Sequence, residues 1–315
     1  MRLYQRPISV TFHANCCSAA TVISALLLVA TLILPYLLAY VMGGFWRTDA
    51  YALERPRVRF RHEALVEGYL VSGGTGQSFA WSTSTTLNAA AGSLFRSCEL
   101  RAWSEDDDRD GRPEMLQFAL QVPLDTSVGE RLYSISVLFG VEFVADDDKH
   151  AKLELNGTLH ANYASAAPGS FWRQRSELRL STQNPVPART RSPPEPCDRP
   201  FWMLQSPVQD DGHAATIGST LDRYYQCNDT VRLDTFPAVW TPGAPETFEA
   251  QLSVSVPRMR VYYTPTSAEA AKFAWSQYLA FFIPLSALVG LLHAATIEYS
   301  VVATRAHHPL KRHAH

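Results

Sequence analysis

The chain has 315 residues, with 28 Lys+Arg against 30 Asp+Glu, a net charge of −2 and 46% hydrophobic residues. That balance excludes a disordered chain, which pairs low hydrophobicity with high net charge, and a polyanion binder, which needs an excess of Lys and Arg; no nucleic-acid partner is expected. The apolar residues are concentrated in two runs, and these set the organisation.

In chain order, a short N-terminal tail (1–18) carries Arg2 and Arg6 and no acid. The first membrane span is expected over 19–44, because Ala19 to Met42 is uncharged and, at about 1.5 Å per residue, long enough to cross a hydrocarbon core about 30 Å thick. Its apolar core exceeds the roughly 7–15 residues of a signal peptide and no A-x-A site follows, so it reads as an uncleaved anchor in the lipid bilayer. A second span is expected over 273–297, where His293 is the one ionisable residue between Lys272 and Glu298. The tail from 298 to 315 holds Arg305, Lys311 and Arg312. With positive charge on both short ends, both termini are expected in the cytosol and residues 45–272 outside it. Pro35 and Pro284 predict bends at similar depth, as in spans that pack together. Ser286, Gly290 and Ala294 recur every four residues and leave a groove for a neighbouring helix, from this chain or another.

Between the spans the pattern is β. Phe248, Ala250, Leu252, Val254 and Val256 alternate with polar residues, and the phase flips after Pro257 to Met259, Val261 and Tyr263, which predicts a bulge or a break into a second strand. The same period of two runs through Leu116 to Val122, Tyr133 to Phe143, Leu153 and Leu155, and Val58 and Phe60. No stretch of helical period stands out there. The fold class is therefore two transmembrane helices flanking an all-β, antiparallel sandwich-like domain, with a stiff proline-rich loop at 184–200. Gly73-Gly74-Thr75-Gly76 lacks a following Lys-Ser/Thr and predicts a hairpin rather than a phosphate loop, and Asp146 to Asp148 predicts another hairpin loop.

Cysteine usage divides by compartment. Cys16 and Cys17 adjoin the first span on the cytosolic side, where thiols are S-palmitoylation candidates. Cys98, Cys197 and Cys227 are an odd set that allows one internal disulfide, for which Cys197 with Cys227 is the candidate pair. Asn156-Gly157-Thr158 and Asn228-Asp229-Thr230 are glycosylation sequons on the side expected to face the lumen.

The sharpest chemical motif is Asp106-Asp107-Asp108-Arg109-Asp110-Gly111-Arg112-Pro113-Glu114. Acids at positions 1, 3 and 5 (Asp106, Asp108, Asp110), glycine at 6, a backbone carbonyl at Arg112 and an acid at 9 (Glu114) suit a hard cation that takes six to eight oxygens, and calcium is the candidate cofactor. Position 12 is Gln117 and a strand follows, so the loop is not an EF-hand; a solvated acidic turn is the competing reading. The remaining histidines of the C-terminal tail suit a solvated, membrane-proximal role. No Ser/His/Asp set, Cys/His set or carboxylate pair can be placed, so neither catalysis nor a small-molecule substrate is expected.

Five segments resemble one family in order: Gly44-Phe45-Trp46, Val58-Arg59-Phe60-Arg61-His62, Phe79-Ala80-Trp81-Ser82-Thr83, DDDRDGRPEML from Asp106 to Leu116, and Lys272-Phe273-Ala274-Trp275-Ser276-Gln277-Tyr278. Together they are similar to the transmembrane protein 231 family of the ciliary transition zone. The resemblance covers both membrane junctions and the first third of the ectodomain, and is weaker from Asp125 to Pro200. It implies a non-enzymatic component of the Meckel syndrome module, acting with tectonics, meckelin and B9-domain proteins to build a diffusion barrier that sets ciliary membrane composition and supports ciliogenesis. Two other classes share the topology: a two-span ligand-gated channel subunit, against which the low cysteine count and scarce polar pore residues speak, and a flippase-type accessory subunit, which usually needs two ectodomain disulfides.

Overall fold

A computed structural model describes residues 11–15, 18–43, 45–146, 152–187 and 217–307. The chain divides into two compact units, Met1–Thr48 with Thr266–His315, and Asp49–Pro265.

The first unit is built on α1 (Ala19–Gly43) and α4 (Ser267–Glu298), both long and apolar enough to cross a membrane. Helix α4 begins six residues before the apolar run because Thr266 and Glu269 form a reciprocal capping box, each side chain accepting from the other's backbone N–H. The two helices pack along one seam. On α1 it is a row of mostly small residues, Ala20, Ser24, Thr31, Pro35 and Ala39, all buried or half-buried at helical spacing. On α4 it is Tyr278, Phe282, Leu285, Val289, His293 and Thr296. Two polar bonds cross it: Ser24 Oγ to His293 Nε2 at 2.9 Å, and the Tyr278 hydroxyl donating to the Leu32 carbonyl at 3.4 Å. The spans thus meet as expected, with Pro35 buried in the seam and Pro284 exposed outside it. His293, the one ionisable residue of the second span, is tied to α1. The tails add a short antiparallel pair, β1 (Thr11–His13) with β15 (Arg305–His307).

The second unit is a two-sheet sandwich. One sheet runs β4 (Thr75–Ser82), β3 (Arg57–Ser72), β7 (Arg131–Asp146), β8 (Lys152–Ala164). The other runs β11 (Asp229–Thr235), β9 (Gly169–Thr182), β13 (Thr247–Ser255), β6 (Met115–Pro123), β5 (Glu99–Glu105), with β12 (Val239–Pro242) also on β9. A third, small sheet joins β10 (Val186–Pro187), β14 (Met259–Thr264) and β2 (Ala50–Glu54). The strands read from period two are present, and their apolar faces are the core: Leu116, Phe118, Leu120 and Val122 of β6, Phe248 to Val254 of β13, and Ile135 to Phe143 of β7. Phe118 and Phe139 stack across the sandwich at 4.2 Å, with Phe60 edge-on to both, and such pairs each add about 0.5–1.5 kcal/mol beyond burial. The phase flip at Pro257 is a break between β13 and β14. The all-β, antiparallel sandwich-like reading holds, with two parallel pairs within it: β13 with β9, and β10 with β14.

Turn chemistry explains the hairpins. Gly73 and Gly74 take φ of +55° and +86°, as a two-residue primed turn between β3 and β4 requires. Five residues before Gly73, no side chain fits at Gly68, where a Cβ would stand 2.3 Å from the ring of its cross-strand partner Phe79.

Two short helices absent from the sequence reading, α2 (Thr85–Ala91) and α3 (Ile217–Tyr224), pack on the outer face of the four-stranded sheet, where Leu65, Leu87, Leu138 and Ile217 form a second apolar cluster. Asn88 fixes α2 by bonding both backbone groups of Ser82 at 2.7 Å. Tyr224 fixes α3: its hydroxyl accepts from Val231 N–H at 2.6 Å and donates to Val231 carbonyl at 3.1 Å, and burial pushes its pKa up to about 12.

Candidate functional site

The acidic loop closes at its neck, where Glu105 pairs with Met115 and Glu114 N–H donates to Glu105 carbonyl at 2.9 Å. Inside it, Gly111 takes φ +78° and Arg109 φ +58°, the sharp turn expected at position 6. Backbone N–H groups point inward: Gly111 donates to Asp106 Oδ2 (2.9 Å), Asp110 to Asp108 Oδ1 (3.2 Å), Arg112 to Asp110 Oδ1 (2.7 Å) and Asp107 to Glu114 Oε2 (2.9 Å).

Asp106, Asp108 and Glu114 each offer a carboxylate oxygen within 4.8 Å of the others. Asp106 Oδ1 is buried without a hydrogen-bond partner among the described residues. Asp110 lies outside this group and caps the turn instead. The Arg112 guanidinium donates to Glu54 Oε1 (2.8 Å) and to the Arg55 carbonyl (2.7 Å).

Sequence reasoning missed Arg55, which sits in the turn between β2 and β3. Its guanidinium pairs with Asp108 at 3.1 Å and with Glu114, so a fixed positive charge already lies on two of the three clustered carboxylates. Desolvation pushes the Asp108 carboxyl up, but the Asp110 N–H and Arg55 outweigh it and hold the group below the usual carboxylate range. Glu54 anchors the assembly by also accepting from Asp146 N–H at 3.1 Å, which ties the loop to the end of β7. The three carboxylates and the orphaned Asp106 oxygen fit a hard cation, provided that Arg55 is displaced.

The other sequence candidates are scattered. Asn156 is half-buried in mid-strand β8 opposite Glu142, and Arg61 donates to its amide oxygen. Asn228, also half-buried, lies in the turn before β11, its carbonyl accepting from Gln183 N–H at 3.0 Å. Cys227 is disulfide-bonded and Cys197 falls outside the described residues. Cys98 is free and buried, its thiol pushed up to about 12 by desolvation, which makes it inert at neutral pH. Cys16 and Cys17 fall outside the described residues, as do 188–200 of the proline-rich loop and Asp147 and Asp148. On α4, Ser286 is half-buried and donates to Ile283 carbonyl at 2.8 Å, whereas Gly290 and Ala294 are exposed and a Cβ on Gly290 would meet nothing within 4 Å. This stripe is not the seam with α1, which uses small residues of α1 instead.

Comparison with known proteins covers nearly the whole chain. A sequence profile of the Transmembrane protein 231 family matches residues 1–305. Relatives named Transmembrane protein 231 include those of Xenopus tropicalis (26% identical, 88% of this chain and 86% of the relative), Mus musculus (27%, 88% and 86%) and Gallus gallus (25%, 96% and 93%). Among solved structures, a proton-activated chloride channel aligns over 88% of this chain and 97% of its own at 10% identity, but its TM-score of 0.25 carries no argument about fold. With the profile spanning both helices and the β unit between them, the chain belongs to the transmembrane protein 231 family.

Proposed function

We propose that this chain is a non-enzymatic membrane component of the ciliary transition zone, working with tectonics, meckelin and B9-domain proteins in a diffusion barrier that controls ciliary membrane composition and supports ciliogenesis. The observation that carries this reading is family membership across both helices and the β unit. The architecture supports it: a folded sandwich tethered by two helices suits a part of an assembly. The test is to tag the C-terminus and image the protein in a ciliated cell. A ring confined to the ciliary base is expected, and a plasma-membrane or endomembrane signal overturns the reading.

The β unit lies outside the cytosol in this proposal, as the basic tails argue. Asn228 then carries the glycan. Asn228→Gln is expected to abolish an endoglycosidase-sensitive gel shift, and a shift that survives the substitution contradicts the assignment.

Calcium is the proposed ligand of Asp106, Asp108 and Glu114, in competition with Arg55. Replacing Arg55 by Gln removes the resident charge, so calorimetric titration of the full-length protein should show calcium affinity raised by about tenfold or more. No binding at millimolar calcium by either protein ends the proposal.

A further inference from the structure

The outer face of the four-stranded sheet holds a cavity of about 550 Å³, within the range of about 300–1,000 Å³ usual for small-ligand sites. Leu65 and Leu87 form its apolar wall, and the rim is set by Tyr69 and Leu94, 43% and 48% exposed. Ser78 and Ser134 also line it, each paired with Tyr69, and a second polar set lies beside them. Glu67, Ser136 and Asn162 are directly paired across β3, β7 and β8 and so form one row on one face.

The chemistry of that row is that of an acceptor. Glu67 Oε1 accepts from Ile217 N–H at 2.9 Å, and its second oxygen has no hydrogen-bond partner among the described residues. Ser136 is held by His160, Oγ to Nε2 at 2.8 Å. Burial raises the Glu67 pKa, countered by the Ile217 N–H, so the carboxyl gains from a donor that would stabilise its charged form. The ring of His160 is pushed the other way, toward the neutral form, by desolvation. An apolar wall ending in a carboxylate, a hydroxyl and an amide suits a ligand with an apolar body and a single donating head.

We propose that this cavity binds a small amphiphile with an aliphatic body and an amino or hydroxyl head, the head placed on Glu67, Ser136 and Asn162. An amphiphile with a carboxylate head is disfavoured there, because it would bring a second negative charge to Glu67. The proposal is independent of the barrier reading, since it rests on the sheet face alone.

The test uses full-length protein in phosphatidylcholine nanodiscs and two photoreactive, clickable probes of matched chain length, sphingosine and palmitate. Crosslinked peptides are then mapped by mass spectrometry. Both probes label the membrane helices, which serve as the internal reference. Within residues 65–94 and 134–164, sphingosine is expected to label about tenfold more than palmitate. Glu67→Gln, which keeps an acceptor for Ile217 N–H, should erase that preference. Ala90→Trp, at an exposed position lining the cavity, should cut labelling by roughly fivefold. Labelling confined to the helices overturns the proposal. So does labelling of the β unit that is equal for both heads and unchanged in Glu67→Gln. That second comparison stands even if Ala90→Trp fails to fold.

Discussion

Replacing Trp172 with alanine is expected to destabilise the β unit by about 3–5 kcal/mol, the range for truncating a fully buried aromatic ring. Trp172 is 0% exposed near the start of β9, opposite Trp240 on one side and Ala250 of β13 on the other. Its ring is an anchor of the sandwich, but its indole N–H is buried with no partner among the described residues. Trp172→Phe therefore combines two opposed terms. Some apolar area is lost, while removal of an unsatisfied buried donor returns about 1–3 kcal/mol. Thermal unfolding of the full-length protein checks both, since about 1 kcal/mol moves the Tm of a unit this size by roughly 2–4 °C. Alanine should cost on the order of 10 °C and phenylalanine only a few. Equal losses would mean that the N–H is satisfied.

The second large effect is one of pH and sits in β3. Between the pairs Phe60–Val141 and Ala64–Phe139, β3 places three residues, Arg61, His62 and Glu63, against the single Gly140 of β7. The irregularity puts His62 at φ +61° and turns Glu63 toward Gly140, whose missing side chain makes the room: a Cβ there would lie 3.0 Å from Glu63 Oε2. That oxygen is buried without a hydrogen-bond partner among the described residues, and burial raises the Glu63 pKa to about 7, only partly offset by Arg61. The unfolded chain releases this proton near 4.5 and the folded one near 7, so between those values the native state holds more protons. Stability at this site thus falls as pH rises through that window and stays low above it. Glu63→Gln removes the dependence: it should match the parent near pH 4.5 and exceed it at pH 8 by about 1–2 kcal/mol, after discounting the shift for solvent screening. Melting curves at the two pH values decide it, and a variant that loses stability at pH 8 refutes the argument.

Much of the architecture was legible locally. The two spans announce themselves by length without charge, and β6, β7 and β13 by alternation, because side chains of a strand point to opposite faces in turn and only one face enters the core. Gly73-Gly74 marked its hairpin because two successive positive φ angles suit glycine. Strand β9 escaped the same reading. On its core face stand Gln174 and Ser176, both buried, and the polar cost is met by Gln174 donating to Phe236 carbonyl at 2.7 Å, 62 residues away. Helices α2 and α3 escaped because Leu87, Ile217 and Leu221 are too few apolar residues for a period. The seam on α1 was hidden because every face of that helix is apolar, leaving nothing in the pattern to distinguish the side that meets α4.

The candidate sites divide along the same line. By itself the sequence determined that Asp106, Asp108 and Glu114 share a tight turn, since Gly111 and the acid spacing act within nine residues. Only the tertiary structure decided that Arg55, more than fifty residues earlier in the chain, lies on two of those carboxylates, and that Glu67, Ser136 and Asn162 stand in one row beneath α2. Local pattern records which face of an element is buried; which charges and donors meet across elements is fixed by strand register and turn placement, and these depend on pairings far apart in the chain.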